Sequence, residues 1–269
     1  MTDSKQIPST RTLPLSKGLS LTLSEAGRGR PVLILHGGAG PISVATLSQH
    51  IAESAHAITP THPGWNGTPR PEWFDSVADL SLAYLQYLED QGLRDVLVIG
   101  SSLGGWVGAE MALRDRSGMV SGLVLINAGG VWIEGEPIAD VFGLDPRRMA
   151  ELAFHDAEKF FFDPAQLPPE QQLKQRANLA TLRVLAGVPY MHDPKLRRRL
   201  ARVRTPTLAI WGESDRIITP NYGRAYAAEF ANARFELVPR AGHLPHLEQP
   251  AATFALIDGF IASQASRAA

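Results

Sequence analysis

The chain has no cysteine among its 269 residues. That absence removes disulfides, thiolate nucleophiles, iron–sulfur clusters and cysteine-ligated zinc from its chemistry. A reducing cytoplasm is the expected location. An excess of charge of either sign is lacking as well: 26 Lys and Arg stand against 27 Asp and Glu, for a net charge of −1. Nothing in that balance attracts nucleic acid or an anionic membrane. Long apolar runs are also missing. Even the strongest, such as 31–35, fall far short of the ~18 residues of a membrane span. The first ten residues, MTDSKQIPST, are polar and lack the apolar segment of a secretion signal. Neither nucleic acid nor a membrane is therefore an expected partner; what remains is a small molecule.

What is present is a globular composition, 44% hydrophobic and 20% charged, so the signal lies in how apolar runs alternate with helical patterns. Buried-strand runs occur at 19–24, 31–36, 55–59, 95–100, 122–127, 206–211 and 234–238, which implies seven or eight strands. Helical patterns lie between them at 43–54, 73–91, 103–116, 220–230 and 250–263. This order predicts an α/β fold: a mainly parallel sheet covered on both faces, with the first hairpin as an antiparallel edge. From 131 to 203 the rhythm stops. Only proline-bounded helical pieces, at 146–154 and 168–186, are visible there, with Trp132, Phe142, Phe154, Phe160, Phe161 and Phe162 among them. The reading is a core domain of 1–130 and 204–269 carrying a helical cap at 131–203. The cap would turn an apolar underside toward the core, and Trp132, Phe142 and Phe154 are the expected pocket residues. The basic run at 194–204, PKLRRRLARVR, alternates Leu and Arg as a solvated helix face does.

Four motifs carry chemistry. The run at 95–100 leads into Gly100-Ser101-Ser102-Leu103-Gly104-Gly105 and then a helical pattern. A nucleophile there needs a very sharp turn, and glycines two residues before and after it prevent clashes. Only Ser102 has that flanking, since Ile99 stands two residues before Ser101. The second motif, His36-Gly37-Gly38-Ala39-Gly40-Pro41, follows a strong apolar run. Acyl transfer needs donors for a developing oxyanion, and the backbone N–H groups of Gly38 and Leu103 are the candidates. A nucleotide-binding turn fits poorly, because Ser43 stands where a third glycine belongs and no P-loop lysine follows.

The third motif, Trp211-Gly212-Glu213-Ser214-Asp215, offers a carboxylate to orient an imidazole, with Asp215 ahead of Glu213 and of Asp193 in the cap. The fourth, Gly242-His243-Leu244-Pro245-His246-Leu247-Glu248, supplies His243 as the base. His246 makes no metal pair with it, since no HExxH motif or further ligand cluster exists. His246 and Glu248 are read as holding the loop, and His62 in HPGW is the other histidine to follow. No metal and no cofactor is expected.

Ser102, Asp215 and His243, in that chain order and with an oxyanion turn upstream, resemble the α/β-hydrolase family over about 19–261. The resemblance implies an eight-stranded, mainly parallel sheet with helices on both faces and a helical cap after strand six, where 131–203 falls. Haloalkane dehalogenases and epoxide hydrolases carry an aspartate at the position of Ser102, which disfavours their chemistry. Some relatives place the acid after strand six, but that strand here ends in Asn127, which points to Asp215. HGGAGP, GSSLGGW and the cap are similar both to small-molecule esterases and to carbon–carbon hydrolases of aromatic-ring degradation. The resemblance implies a serine hydrolase of small carboxylic esters acting through an acyl-enzyme. The alternatives are carbon–carbon hydrolysis of a ring-cleavage product and a ligand-binding receptor without catalysis, against which the complete triad argues.

Overall fold

A computed structural model describes residues 8–16 and 18–268. Most of the polar stretch read for a secretion signal lies outside the described residues. Eight strands form one sheet: β1 (Ser9–Ser16), β2 (Leu19–Ala26), β3 (Pro31–Leu35), β4 (His56–Thr61), β5 (Val96–Ser101), β6 (Val120–Ile126), β7 (Thr207–Gly212) and β8 (Ala233–Val238). Their order is β1-β2-β4-β3-β5-β6-β7-β8. β2 pairs antiparallel with both β1 and β4, and every later pairing is parallel. The antiparallel edge expected of the first hairpin is therefore present. β1 itself escapes the hydrophobic pattern, because its residues are mostly exposed and pairing with β2 holds it in place.

The central strands read as continuous apolar runs because both faces are covered. Val32 and Ile34 of β3 pack on one side with Leu97, Ile99, Val124, Ile126, Leu208 and Ile210, beneath α1 (Ala45–Ala52) and α9 (Pro250–Ala268). Leu33 and Leu35 face the other way, with Val98, Leu123, Leu125 and Trp211, toward α2 (Val77–Asp90), α3 (Leu103–Arg114) and α7 (Pro220–Ala228). Each such side chain contributes about 1.5–3 kcal/mol by leaving water, so strand register is tightly fixed. α2 starts four residues later than its pattern suggests. Ser76 and Asp79 form a reciprocal capping box there, which satisfies the N-terminal N–H groups at that point.

Between β6 and β7 lie only helices and turns: α4 (Pro146–Ala153), α5 (Ala157–Phe160), a 3₁₀ turn at Pro164–Gln166, α6 (Pro169–Ala186) and another at Arg197–Arg202. α6 buries Asn178, Thr181, Leu182, Leu185 and Ala186. In the basic run Leu196 and Leu200 are fully buried, while Arg197 and Arg199 pair with Glu229 and Asp193, as a solvated face predicts. Among the described residues no helix is long and apolar enough to cross a membrane. The parallel strands all end on one edge of the sheet, so the loops after β3, β5, β6, β7 and β8 converge there. That is where such sheets present their sites.

Candidate active site

At the end of β5 the chain reverses through Ser102, whose φ of 55° and ψ of −116° place a non-glycine residue in a sparsely populated conformation. The turn is tight enough that its flanking glycines are obligatory. A Cβ on Gly100 would lie 2.2 Å from the carbonyl oxygen of Gly104, and one on Gly104 would lie 2.2 Å from that of Leu35. Ser102 stands at the N-terminus of α3, and Leu103, the first helical residue, has an N–H with no partner inside the helix. Gly37 packs so closely on the serine that a Cβ there would come within 2.9 Å of its Cβ.

The loops after β7 and β8 meet at the same edge of the sheet. The His243 Nδ1–H donates to Asp215 Oδ2 at 2.8 Å, which leaves Nε2 as the basic nitrogen. Asp215 is buried, and both of its oxygens are occupied. Oδ1 accepts from the N–H groups of Ile217 at 2.8 Å and Ile218 at 3.0 Å, and Oδ2 also accepts from Asn127 Nδ2 at 2.6 Å. The hydrogen bonds among the described residues join His243 to Asp215 and do not join Ser102 to His243.

The histidine loop is held from two directions. The Glu248 carboxylate, buried, accepts from Gly242 N–H at 2.5 Å and, across the chain, from the N–H groups of His155 at 2.9 Å and Asp156 at 3.2 Å. The His243 N–H donates to the Ala153 carbonyl at 2.6 Å. His246 Nε2–H donates to the Ser43 carbonyl at 2.8 Å, which ties the same loop to the turn after β3. The acid loop is fixed to α4 as well: Arg216 reaches the carbonyls of Glu151 and Phe154, and Ser214 Oγ lies 2.7 Å from His155 Nδ1.

The glycine turn after β3 is set by a buried pair of imidazoles, tilted at 33° to one another with centroids 3.7 Å apart. His36 Nε2 accepts from the His62 N–H at 3.1 Å, so its proton sits on Nδ1 and goes to the Gly37 carbonyl at 2.7 Å. His62 Nε2–H donates to the His36 carbonyl at 2.9 Å, which leaves Nδ1 to accept from the Tyr84 hydroxyl at 2.5 Å. Both rings are neutral in this arrangement. Burial lowers His36 to about 4 and holds His62 well below its ordinary value, with the neighbouring His36 adding to the effect.

Trp65 Nε1–H donates to the Gly38 carbonyl at 2.9 Å, so both sides of the turn are fixed. α6 covers it. Leu182 Cδ2 would lie 2.9 Å from a Cβ on Gly38, and Ile138 and Met191 stand in the same way over Gly129, at 3.7 and 3.6 Å.

Of the expected pocket aromatics, Trp132 is half-exposed beside His192, and Phe142 lies against Tyr190 and the Arg183 guanidinium. Phe154 stacks on Phe160, and its backbone abuts Gly242 in the histidine loop. Sequence reasoning missed Asn127 as a partner of the acid, although a polar residue ending an otherwise apolar strand was the available signal. It also missed Leu182 and Tyr84, which carry none. Among the described residues no three His, Asp or Glu side chains gather as a metal site.

The model of the alpha/beta hydrolase family matches residues 32–256. The chain is 26% identical to a 2-hydroxy-6-oxo-6-phenylhexa-2,4-dienoate hydrolase of Burkholderia cepacia, over 92% of this chain and 94% of that one. It is 24% identical to lipase 1 of Psychrobacter immobilis, over 88% and 79%. Among solved structures it is similar to a meta-cleavage product hydrolase from Pseudomonas fluorescens, with a TM-score of 0.76 at 18% identity over 94% of this chain and 97% of that one.

Proposed function

The chain belongs to the alpha/beta hydrolase family and is a hydrolase, and we propose that it cleaves small carboxylic esters through Ser102, His243 and Asp215. The observation that carries this reading is the buried His243–Asp215 hydrogen bond at 2.8 Å, on the same sheet edge as a serine held at positive φ on a strand-to-helix turn. In this reading His243 Nε2 takes the proton of Ser102 Oγ as the oxygen attacks the acyl carbon. The oxyanion that forms accepts from the N–H groups of Gly38 and Leu103, the latter aided by the N-terminal end of α3. The imidazolium, stabilised by Asp215, then returns the proton to the leaving alcohol. Water repeats the sequence on the acyl-enzyme, releasing the acid and restoring Ser102. The helical insert of 131–203 serves as the cap that keeps bulk water from the acyl carbon. No cofactor takes part, and the cytoplasm is the proposed location.

A second reading, hydrolysis of a carbon–carbon bond in a ring-cleavage product, is favoured by the likeness to the Burkholderia cepacia hydrolase over nearly the full length of both chains. Hydrolysis of p-nitrophenyl esters from acetyl to decanoyl, with Ser102→Ala as control, tests the first reading. Turnover should fall by a factor of roughly 10⁴ or more in the variant. Ester turnover retained by Ser102→Ala would refute the assignment. Rapid turnover of a ring-cleavage dienoate with only weak activity on esters would favour the second reading.

A further inference from the structure

The residues that press on the proposed oxyanion turn come from the insert, and they bear on which substrates can enter. α6 is seated on the loop after β4 by a reciprocal pair of amides. Asn178 Oδ1 accepts from the Asn66 N–H at 2.8 Å, and Asn178 Nδ2 donates to Asn66 Oδ1 at 3.1 Å. One turn further on, the Thr181 hydroxyl lies 3.1 Å from the Gly64 carbonyl, and a Cβ on Gly64 would come within 2.6 Å of the threonine methyl. Asn66 reaches this pairing from the left-handed region, at φ 52°.

These contacts fix the height of α6 above the sheet edge, and the next side chain along the helix is Leu182. It is 5% exposed, and its Cδ2 would stand 2.9 Å from a Cβ on Gly38. A carbonyl oxygen accepting from the Gly38 N–H must lie about 2.9 Å from that nitrogen. An acyl group bonded to that oxygen sits at the turn that Leu182 covers. On the other flank of Ser102, the Gly129 N–H points at the Ser102 carbonyl at 3.4 Å, with Met191 and Ile138 above it. The side chains over these two glycines, Leu182, Met191 and Ile138, are all aliphatic, and none of the three carries a charge to pair with a charged acyl group.

We propose that Leu182 is the specificity-determining residue of this site, a low aliphatic roof over the oxyanion turn that restricts Ser102 to short, uncharged acyl groups. This rests on the ester-hydrolase reading above. Removing the leucine side chain beyond Cβ frees room for two or three methylenes along the acyl chain. In a hydrophobic pocket each methylene is worth tenfold or more in discrimination.

The test is the chain-length profile of kcat/KM on p-nitrophenyl esters for the wild type, Leu182→Ala and Leu182→Phe, with Ser102→Ala as background. Thermal unfolding of each variant identifies any that fail to fold. Wild type should favour acetyl or butyryl. Leu182→Ala should raise the octanoyl-to-acetyl ratio by roughly tenfold or more, and Leu182→Phe should lower it. Leu182→Met, of similar volume, should stay near the wild type, and the lowered ratio expected of Leu182→Phe keeps the test open if the alanine variant is unstable. Ser102-dependent turnover with the same profile in all folded variants would overturn the role of Leu182 while leaving the hydrolase reading intact. Absence of any Ser102-dependent ester turnover in the wild type would overturn both.

Discussion

Glu248 is the residue whose loss should separate the sheet edge from the insert. One carboxylate oxygen holds Gly242, next to the proposed base, and the other holds the N–H groups of His155 and Asp156 between α4 and α5. Hydrogen bonds to a charged acceptor contribute about 1.5–3 kcal/mol each, so three amount to roughly 4–9 kcal/mol. That is comparable to the whole stability of a typical domain, about 5–15 kcal/mol. Glu248→Ala would strand three donors and risks unfolding, so Glu248→Gln is the informative change.

The glutamine keeps the shape and one acceptor oxygen but sets an NH₂ group against an N–H, which should cost about 2–4 kcal/mol. Urea unfolding should show it as a lower midpoint at unchanged slope. The same change frees Gly242, so His243 loses registration with Asp215. Misplacement of a catalytic group by about 1 Å costs on the order of 100-fold in rate. The expected result is a kcat lower by about 10- to 100-fold on a short p-nitrophenyl ester, with KM little altered. Unchanged unfolding midpoint and kcat would refute the clamp.

Two further outcomes follow from the buried polar groups. His36 and His246 are lowered to about 4 by burial, and His62 is lowered as well, so between pH 4 and 6.5 the unfolded chain binds protons that the folded chain excludes. Stability should therefore be full above pH 6.5 and fall as pH drops toward 4, by about 1.4 kcal/mol per pH unit for each histidine involved. A urea midpoint that stays flat from pH 7 to 5 would exclude this. Asn127→Ala removes an amide that donates to Asp215 at 2.6 Å and accepts from Gly212 N–H at 3.3 Å. It should cost about 1–3 kcal/mol and lower kcat more than it raises KM, measured by unfolding and steady-state ester kinetics.

The parts of this site that could be read in the sequence are those whose constraint is local. Gly100 and Gly104 flank Ser102 because a Cβ at either would collide with backbone a few residues away or on the neighbouring strand, and that collision is written into five consecutive letters. That Ser102, Asp215 and His243 each follow a strand was legible as well. The sheet followed from alternation that both faces enforce. What escaped was held by distant partners. β1 depends on β2 rather than on its own pattern, and α5 has no buried residue to mark it. Glu248 was recognisable as a loop residue, but two of the N–H groups it holds lie 93 and 92 residues away.

The aromatic residues of the insert are held largely by one another and by their neighbours. Trp132, Phe142 and Phe154 stand out in the sequence, and each meets a ring in or beside the insert: His192, Tyr190 with the Arg183 guanidinium on Phe142, and Phe160. Large rings gain most where they meet other rings or cations over a broad face. The glycine turns present bare backbone at close range, and the side chains that the insert brings over them are aliphatic ones, Leu182 over Gly38 and Met191 over Gly129. Which residue of α6 takes that place is decided by the amide pair between Asn178 and Asn66, 112 positions apart, which sets the rotation of the helix. The sharp turn at Ser102 was thus encoded in adjacent letters. The shape of the space above it depends on a helix rotation that no adjacent letters state.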